Sequence, residues 1–283
     1  MKINWYPGHM VTAQNEIKAS LKLIDVVVEI VDSRIPYSSQ NKVAAKLTEG
    51  KKKIVVLNKI DLADLAKVTE CEKRFKEEGI NTVRVDASSG KGIKELLLAI
   101  SKIGASVYAE KNSKLPNPIV RALIIGIPNV GKSTIINKLS NKTSAKVGNK
   151  PGVTVRKQWI RVGSNIELLD TPGILWPNLD DQDAGLKLAL TGNIKQEILD
   201  IEELCAEGLK EILKSEKYTK MLVDRYKLDE EEIANVEQVS EIMDIIGKKR
   251  GCLLRGGLIN YEKVSTIFLD DFKNGRIGKI SLE

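Results

Sequence analysis

The chain has 283 residues, of which 42% are hydrophobic, 29% charged and only 4% aromatic. The length allows one or two domains at roughly 150 residues each, and the composition excludes a disordered, collagenous or membrane-embedded chain. Forty-five Lys and Arg against 38 Asp and Glu leave a net charge of +7, which favours polyanionic partners without naming one; a solvated basic surface is the plain alternative.

With few aromatic rings, a nucleic-acid contact would rest on backbone phosphates rather than on base stacking. The three cysteines, Cys71, Cys205 and Cys252, lie far apart and form no Cys-x-x-Cys pair, which points to a reducing compartment and against structural zinc. The opening residues lack the apolar stretch of ~7 to 15 residues of a secretory signal, and no apolar run nears the ~18 residues of a membrane span. A cytoplasmic protein without a membrane partner is expected.

Short apolar runs ending in turn residues recur through the first two thirds. Val26 to Val31 precede Asp32, Ile54 to Leu57 precede Asn58, and residues 83–85, 123–127 and 166–169 are further strand candidates. Residues 65–78, 93–103 and 132–139 carry helical spacing. The alternation predicts an α/β fold: a mostly parallel sheet with helices on both faces. Residues 106–118 break both periodicities and read as a surface connection. After Trp176-Pro177 no convincing strand appears, and one helical stripe over residues 232–246 joins Ile233, Val236, Val239, Met243 and Ile246. Two domains are therefore expected, residues 1–177 and an all-α domain over 178–283.

Gly126-Ile127-Pro128-Asn129-Val130-Gly131-Lys132-Ser133 fits the phosphate-loop pattern Gly-x4-Gly-Lys-Ser/Thr between a strand and a helix that continues through Thr134. Glycines let backbone N–H groups of Asn129, Val130 and Gly131 curl around phosphate oxygens, and the helix N-terminus adds positive potential. Lys132 can reach the β and γ phosphates, and Ser133 can ligate Mg2+. Asp170-Thr171-Pro172-Gly173 follows a strand, so Asp170 can support the metal through water and the Gly173 N–H can sense the γ phosphate. Thr154, in a basic segment between the two motifs, is a second magnesium hydroxyl; a plain exposed turn is its alternative reading. Asn58-Lys59-Ile60-Asp61 closes a strand, and Asp61 offers two acceptor oxygens that match the ring N–H and exocyclic amine of guanine. Adenine lacks that donor pair, and an unpaired buried carboxylate costs ~1 to 3 kcal/mol or more, so the tetrapeptide selects GTP over ATP. Downstream, the backbone of Asp86-Ala87-Ser88 is placed to touch the purine oxygen.

Together these are the GTPase motifs, but the base-reading pair precedes the phosphate-binding trio. That rotated order, with Trp5-Tyr6-Pro7-Gly8-His9-Met10, Asp32-Ser33-Arg34-Ile35-Pro36, Leu168 to Pro177 and Arg250-Gly251-Cys252-Leu253, closely resembles the circularly permuted ribosome-biogenesis GTPases called YlqF or RbgA. The resemblance runs nearly end to end. It implies a P-loop GTPase that binds GTP and GDP and acts late on the precursor of the large (50S) ribosomal subunit, with the C-terminal helical domain contacting rRNA. The chain would be monomeric off the ribosome. Asp86 departs from the pattern of many GTPases, which carry serine before the alanine. Ile174 stands where Ras-like enzymes have a water-orienting glutamine, as in the resembling family. An aliphatic side chain cannot hold water by hydrogen bonding, so slow unaided turnover is expected.

The resemblance makes His9 the candidate water-orienting catalytic group, beside Lys132 and Thr154; an N-terminal histidine that packs or binds RNA is the alternative. Asn129 resembles the asparagine with which potassium-dependent GTPases hold K+ against the phosphates, though asparagine also favours turns. Lys248, Lys249, Arg250, Arg255, Lys273, Arg276 and Lys279 are candidate rRNA-phosphate contacts or an ordinary charged face. Cys252 reads as a small buried residue and Asp32 as structural, while Arg34 is expected to be exposed, for RNA or to organise the N-terminal loop. The competing function is a GTP-gated RNA-binding module whose hydrolysis is incidental.

Overall fold

A computed structural model describes residues 18–110, 118–140, 158–170, 181–194 and 200–283. Strand β1 (Val26–Asp32) is buried at every position, as expected of a strand rich in β-branched residues and covered on both faces. Even its charged residue is enclosed: the Glu29 carboxylate accepts the Asn41 N–H at 2.7 Å and pairs with Lys53. Helix α1 (Lys42–Leu47) leads to β2 (Lys52–Asn58), which pairs in parallel with β1. Helix α2 (Leu65–Glu77) starts at Asp64, whose side chain caps it by accepting the Ala66 N–H. Then follow β3 (Asn81–Arg84), α3 (Ile93–Glu110), β4 (Val120–Ile125), α4 (Lys132–Ser140), β5 (Gln158–Val162) and β6 (Ile166–Asp170). The sheet order is β3-β2-β1-β4-β6-β5, parallel throughout except for the antiparallel pairing of β5 on β6.

The period of two along each strand sends alternate residues to opposite faces. Val26, Val28, Ile30, Ile54 and Val56 pack with Leu96 and Ile100 of α3 and Ile135 and Leu139 of α4. On the other face, Val27 meets Ala44 of α1, while Val31, Val55 and Leu57 meet Val68, Cys71 and Phe75 of α2. Gly104 lets α3 lie against β4, because a Cβ there would stand 2.4 Å from the Val120 side chain.

The helical domain contains α5 (Gln182–Leu190), α6 (Ile201–Leu213), α7 (Glu216–Tyr226), α8 (Glu230–Ala234), α9 (Val239–Arg250) and α10 (Tyr261–Lys273). Leu209, Ile246 and Phe268 belong to the same apolar cluster as the α3 face of the sheet. No helix among the described residues is long and apolar enough to cross a membrane.

Three expectations are corrected. Residues 106–110 belong to α3 rather than to a connection, because Val107 is buried and the Tyr108 hydroxyl donates to the Ile119 carbonyl at 2.8 Å. The stripe over 232–246 is two helices: α8 ends at Ala234, capped by Asn235, and α9 restarts where Gln238 and Glu241 form a reciprocal capping box. Strand β4 stops at Ile125, since the chain there turns into the glycine loop.

Candidate nucleotide site

All five parallel strands deliver their C-terminal ends to one sheet edge. The elements following β1 add on one side and those following β4 on the other, so the crevice between these two strands is a topological switch point, where open α/β sheets bind ligands. Asp32, Asn58, Asp86, Gly126 and Asp170 all sit at this edge, whichever motif comes first in the chain.

After β4 the backbone folds over β1 so closely that a Cβ on Gly126 would stand 2.8 Å from the Ile30 carbonyl oxygen. Asn129 takes a left-handed backbone at φ +60°, and Gly131 lies at φ +95°. Gly131 is glycine for a second reason: a Cβ there would stand 2.2 Å from the Asn58 amide nitrogen. Lys132 opens α4 with its ammonium buried, donating to Asp170 Oδ1 at 2.7 Å. Asp170 is fully buried, and its Oδ2 has no hydrogen-bond partner among the described residues. Ser133 and Thr134 follow in the first turn, half-buried. A buried carboxylate oxygen left unpaired is costly, so a carboxylate end open beside a hydroxyl-bearing helix start fits a hard cation such as Mg2+.

Asn58 ties the motifs together. Its amide Nδ2 donates to the Val130 carbonyl at 2.7 Å, and its Oδ1 accepts the Ala87 N–H at 3.1 Å. One side chain thereby joins the phosphate loop, the base-reading loop and the loop after β3. Lys59 sits at φ +60° and donates to Asp32 Oδ2 at 2.8 Å. Asp61 is exposed at the loop's end; partial burial and the neighbouring Asp86 charge raise its carboxyl above the ordinary aspartate range. Asp86 is itself an acceptor hub for Ser88 and Ser89, taking both backbone N–H groups at 2.9 and 3.2 Å and both hydroxyls at 2.5 Å. Burial works against its charge, but these donors outweigh it and hold the carboxyl low.

The structure thus brings Asn58, Lys59, Asp61, Asp86, Ala87, Ser88, Asn129, Val130, Gly131, Lys132, Ser133, Thr134 and Asp170 to one edge. His9, Thr154 and Gly173 lie outside the described residues. Arg34 departs from expectation. It is 2% exposed, its guanidinium forked onto Asp32 at 2.9 and 2.8 Å. Asp32 is structural, as its strand-end position suggested, and all three cysteines are buried. A cavity of about 620 Å³, lined in part by Asp64, Lys67, Glu70, Lys214 and Tyr218, holds none of the motif residues.

Comparison with known proteins agrees with this geometry. A sequence family described as "50S ribosome-binding GTPase" matches residues 121–249, a match that starts at β4 and so leaves out the base-reading loop upstream. "Ribosome biogenesis GTPase A" of Bacillus cereus is 44% identical over 284 residues, covering 100% of this chain and 94% of the relative. The protein of that name from Thermotoga maritima is 30% identical over 282 residues, covering 99% and 94%. Among solved structures, the GDP-bound form of Thermotoga maritima YlqF superposes with a TM-score of 0.69 at 28% identity, covering 95% of this chain and 98% of that one. With the rotated motifs converging on one edge and relatives matching over its full length, the chain belongs to the ribosome biogenesis GTPase A family, the RbgA/YlqF enzymes: a GTP-hydrolysing protein with a circularly permuted P-loop GTPase domain and a C-terminal helical domain.

Proposed function

We propose that this GTPase times a late step in assembly of the large ribosomal subunit, with residues 1–177 hydrolysing GTP and residues 178–283 contacting rRNA of the precursor particle. The carrying observation is the Asn58 amide, bonded at one end to Val130 of the phosphate loop and at the other to Ala87. It makes one pocket of segments that lie 72 and 29 residues away from it in the chain. The names of the relatives supply the ribosomal context, and the basic residues Lys248, Lys249, Arg255, Lys273 and Lys279 supply charge for rRNA phosphates.

In this reading Asp61 accepts the guanine N–H donors, Lys59 and Asn58 hold the loop that presents it, and Ala87 and Ser88 flank the purine oxygen. The amides of Asn129, Val130 and Gly131 wrap the phosphates. Lys132 exchanges its Asp170 partner for β and γ oxygens, which frees the Asp170 carboxylate. Ser133 and Thr154 would hold Mg2+, with Asp170 supporting it through water; bound there, the ion neutralises charge on the β and γ phosphates. His9 orients the attacking water in place of a glutamine, and the Gly173 N–H senses the γ phosphate. Hydrolysis releases the segments around Thr154 and Gly173 and with them the grip of the helical domain on RNA.

Asn129 Nδ2 donates to the Gly192 carbonyl at 3.0 Å. In this reading the side-chain oxygen of Asn129 coordinates K+. The protein acts in the cytoplasm as a monomer when off the ribosome.

GTP turnover with immature and with mature large subunits, in potassium and in sodium, tests the reading. Stimulation by the immature particle, larger in potassium, is expected. Salt-dependent RNA binding with no stimulation of turnover would instead make the chain a GTP-gated binding module. Equal rates in the two salts would remove K+, and unchanged stimulated turnover in His9→Ala would remove the histidine.

A further inference from the structure

Between the base-reading loop and the helical domain runs a chain of largely buried polar contacts. Lys59 donates to Asp32 Oδ2 at 2.8 Å. Asp32 is fully buried; burial opposes its charge, yet the Arg34 and Lys59 cations hold its carboxyl far below the usual range. Arg34 grips both Asp32 oxygens, then donates from Nη1 to the Lys273 carbonyl at 2.9 Å and from Nη2 to the Thr191 carbonyl at 3.0 Å. Asn193 Nδ2 closes the circuit, donating to Asp32 Oδ2 at 3.2 Å and to Thr191 Oγ1 at 2.8 Å. These carbonyls lie 157 and 239 residues from Arg34 in sequence and belong to the helical domain.

The segment after α10 leans on the same region. A Cβ on Gly275 would stand 2.9 Å from Leu62 Cδ2. The Leu282 N–H donates to the Arg34 carbonyl at 2.8 Å, and the Glu283 carboxylate accepts the Tyr37 N–H at 2.7 Å.

We propose that Arg34 is a positioning residue for guanine recognition: by holding Asp32, and through it Lys59, it lets the base-reading loop keep its shape only while the Thr191 and Lys273 carbonyls sit on its guanidinium. The inference rests on the reading of residues 58–61 as the guanine loop. The physical reason is that Lys59 adopts a left-handed backbone unfavourable for a side-chain-bearing residue, so the loop needs an outside anchor. Its ammonium finds that anchor in one carboxylate, and the carboxylate is fixed by a planar fork with two donors left for the helical domain. Lysine at position 34 would place one point charge where four directed hydrogen bonds are made. By linkage, whatever firms the loop firms the seat of the helical domain, and the reverse.

The test uses the full chain and ligands that share phosphates but differ in the base. In Arg34→Lys, GDP affinity should fall about 10- to 100-fold, as a loss of one to two charge-assisted hydrogen bonds predicts. The GDP-to-ADP affinity ratio should shrink by the same factor, and inorganic pyrophosphate should bind as in the parent. In turnover, KM for GTP should rise while kcat at saturation holds. Pyrophosphate and GDP weakened equally, or neither weakened, would overturn the proposal by reducing Arg34 to a structural role.

Hydrogen exchange on the unmodified protein keeps the test open should Arg34→Lys fail to fold. Amides of residues 191–193 and 275–282 should gain protection with GDP and not with pyrophosphate; equal protection by both overturns the proposal. An unmodified protein that binds GDP and ADP alike sinks the guanine-loop reading and this inference together. A GDP preference that Arg34→Lys leaves intact sinks the inference alone.

Discussion

Around the phosphates the chain relies on short-range backbone geometry: Gly131 at φ +95°, α4 beginning at Lys132, and one ion pair from Lys132 to Asp170. Its described polar link to the helical domain is the single bond from Asn129 to the Gly192 carbonyl. Around the base, the loop is anchored by a buried Lys59–Asp32–Arg34 relay whose far end lies in the helical domain, and Gly275 packs beside it. The first half is held mostly by its own turn, with Asn58 bridging it to the base side, and the second is conditional on the helical domain. On the proposed reading, the difference teaches that a permuted chain can leave phosphate binding local while nucleotide identity depends on a second domain.

Lys132→Ala should break the phosphate half most severely, lowering kcat/KM for GTP by about 10²- to 10³-fold, as expected for loss of one preorganised charge at the transferred group. Steady-state turnover measures it, and a GDP-to-ADP affinity ratio that also collapses would show that the halves are not separable. Next comes Asp61→Asn, which replaces an acceptor pair by one acceptor and one donor. GDP should weaken by about 100-fold and xanthosine diphosphate, with a carbonyl in place of the amine, should become the better ligand, read by calorimetry.

Asp271→Asn acts inside the helical domain, where the carboxylate is 2% exposed and accepts Arg225 Nη2 at 2.8 Å and the Tyr226 hydroxyl at 3.1 Å. Because Arg225 and Arg276 stay partly exposed, the cost should be about 2 kcal/mol, below the usual 3–5 kcal/mol for a fully buried pair. Desolvation opposes the charge of Asp271, but its arginine partners win and depress the carboxyl. A depressed folded value contributes stability above the unfolded value of about 3.9 and loses it as pH falls further. The stability gap between parent and variant in urea melts should therefore narrow below about pH 4, with the GDP-to-ADP ratio at neutral pH unchanged.

A gentler probe of the base half is pH itself. Partial burial and Asp86 raise the Asp61 carboxyl, so its protonated form, which cannot accept both guanine donors, gains ground above the ordinary value of about 3.9. The GDP-to-ADP affinity ratio, in which phosphate titration cancels, should fall several-fold as pH drops through the acid range, and a flat ratio would take Asp61 out of base reading. The smallest effect belongs to Lys210→Ala: its pair with Glu207 is 2.7 Å long but exposed at both ends, so thermal unfolding should register a change within about 0.5 kcal/mol.

Much of this was legible in the sequence. The apolar runs before Asp32, Asn58 and Asp170 became β1, β2 and β6 because a strand buried on both faces needs no pattern beyond continuous hydrophobicity. The phosphate loop was readable because its chemistry is local: eight consecutive residues carry the turn, the amides and the lysine. Strand β5 was missed. In it Trp159 points outward at 43% exposure while Ile160 and Val162 are buried, a signature too short for periodicity to single out. The expected exposure of Arg34 failed for a different reason. An arginine is buried only where acceptors are waiting, and its carbonyl acceptors are contributed by residues 191 and 273, which no window of sequence brings near it. The break between α8 and α9 was written in Gln238 and Glu241, but the apolar stripe continues across it and masks the cap.

The 239-residue separation between Arg34 and the Lys273 carbonyl also orders events during synthesis. At translation rates of about 5 to 20 residues per second, Arg34 emerges from the exit tunnel at least ten seconds or so before its acceptor does. In that interval the sheet edge can fold and the glycine loop can take its shape, while the relay through Asp32 waits for its far anchor. A nascent chain should accordingly capture polyphosphate before it distinguishes one purine from another.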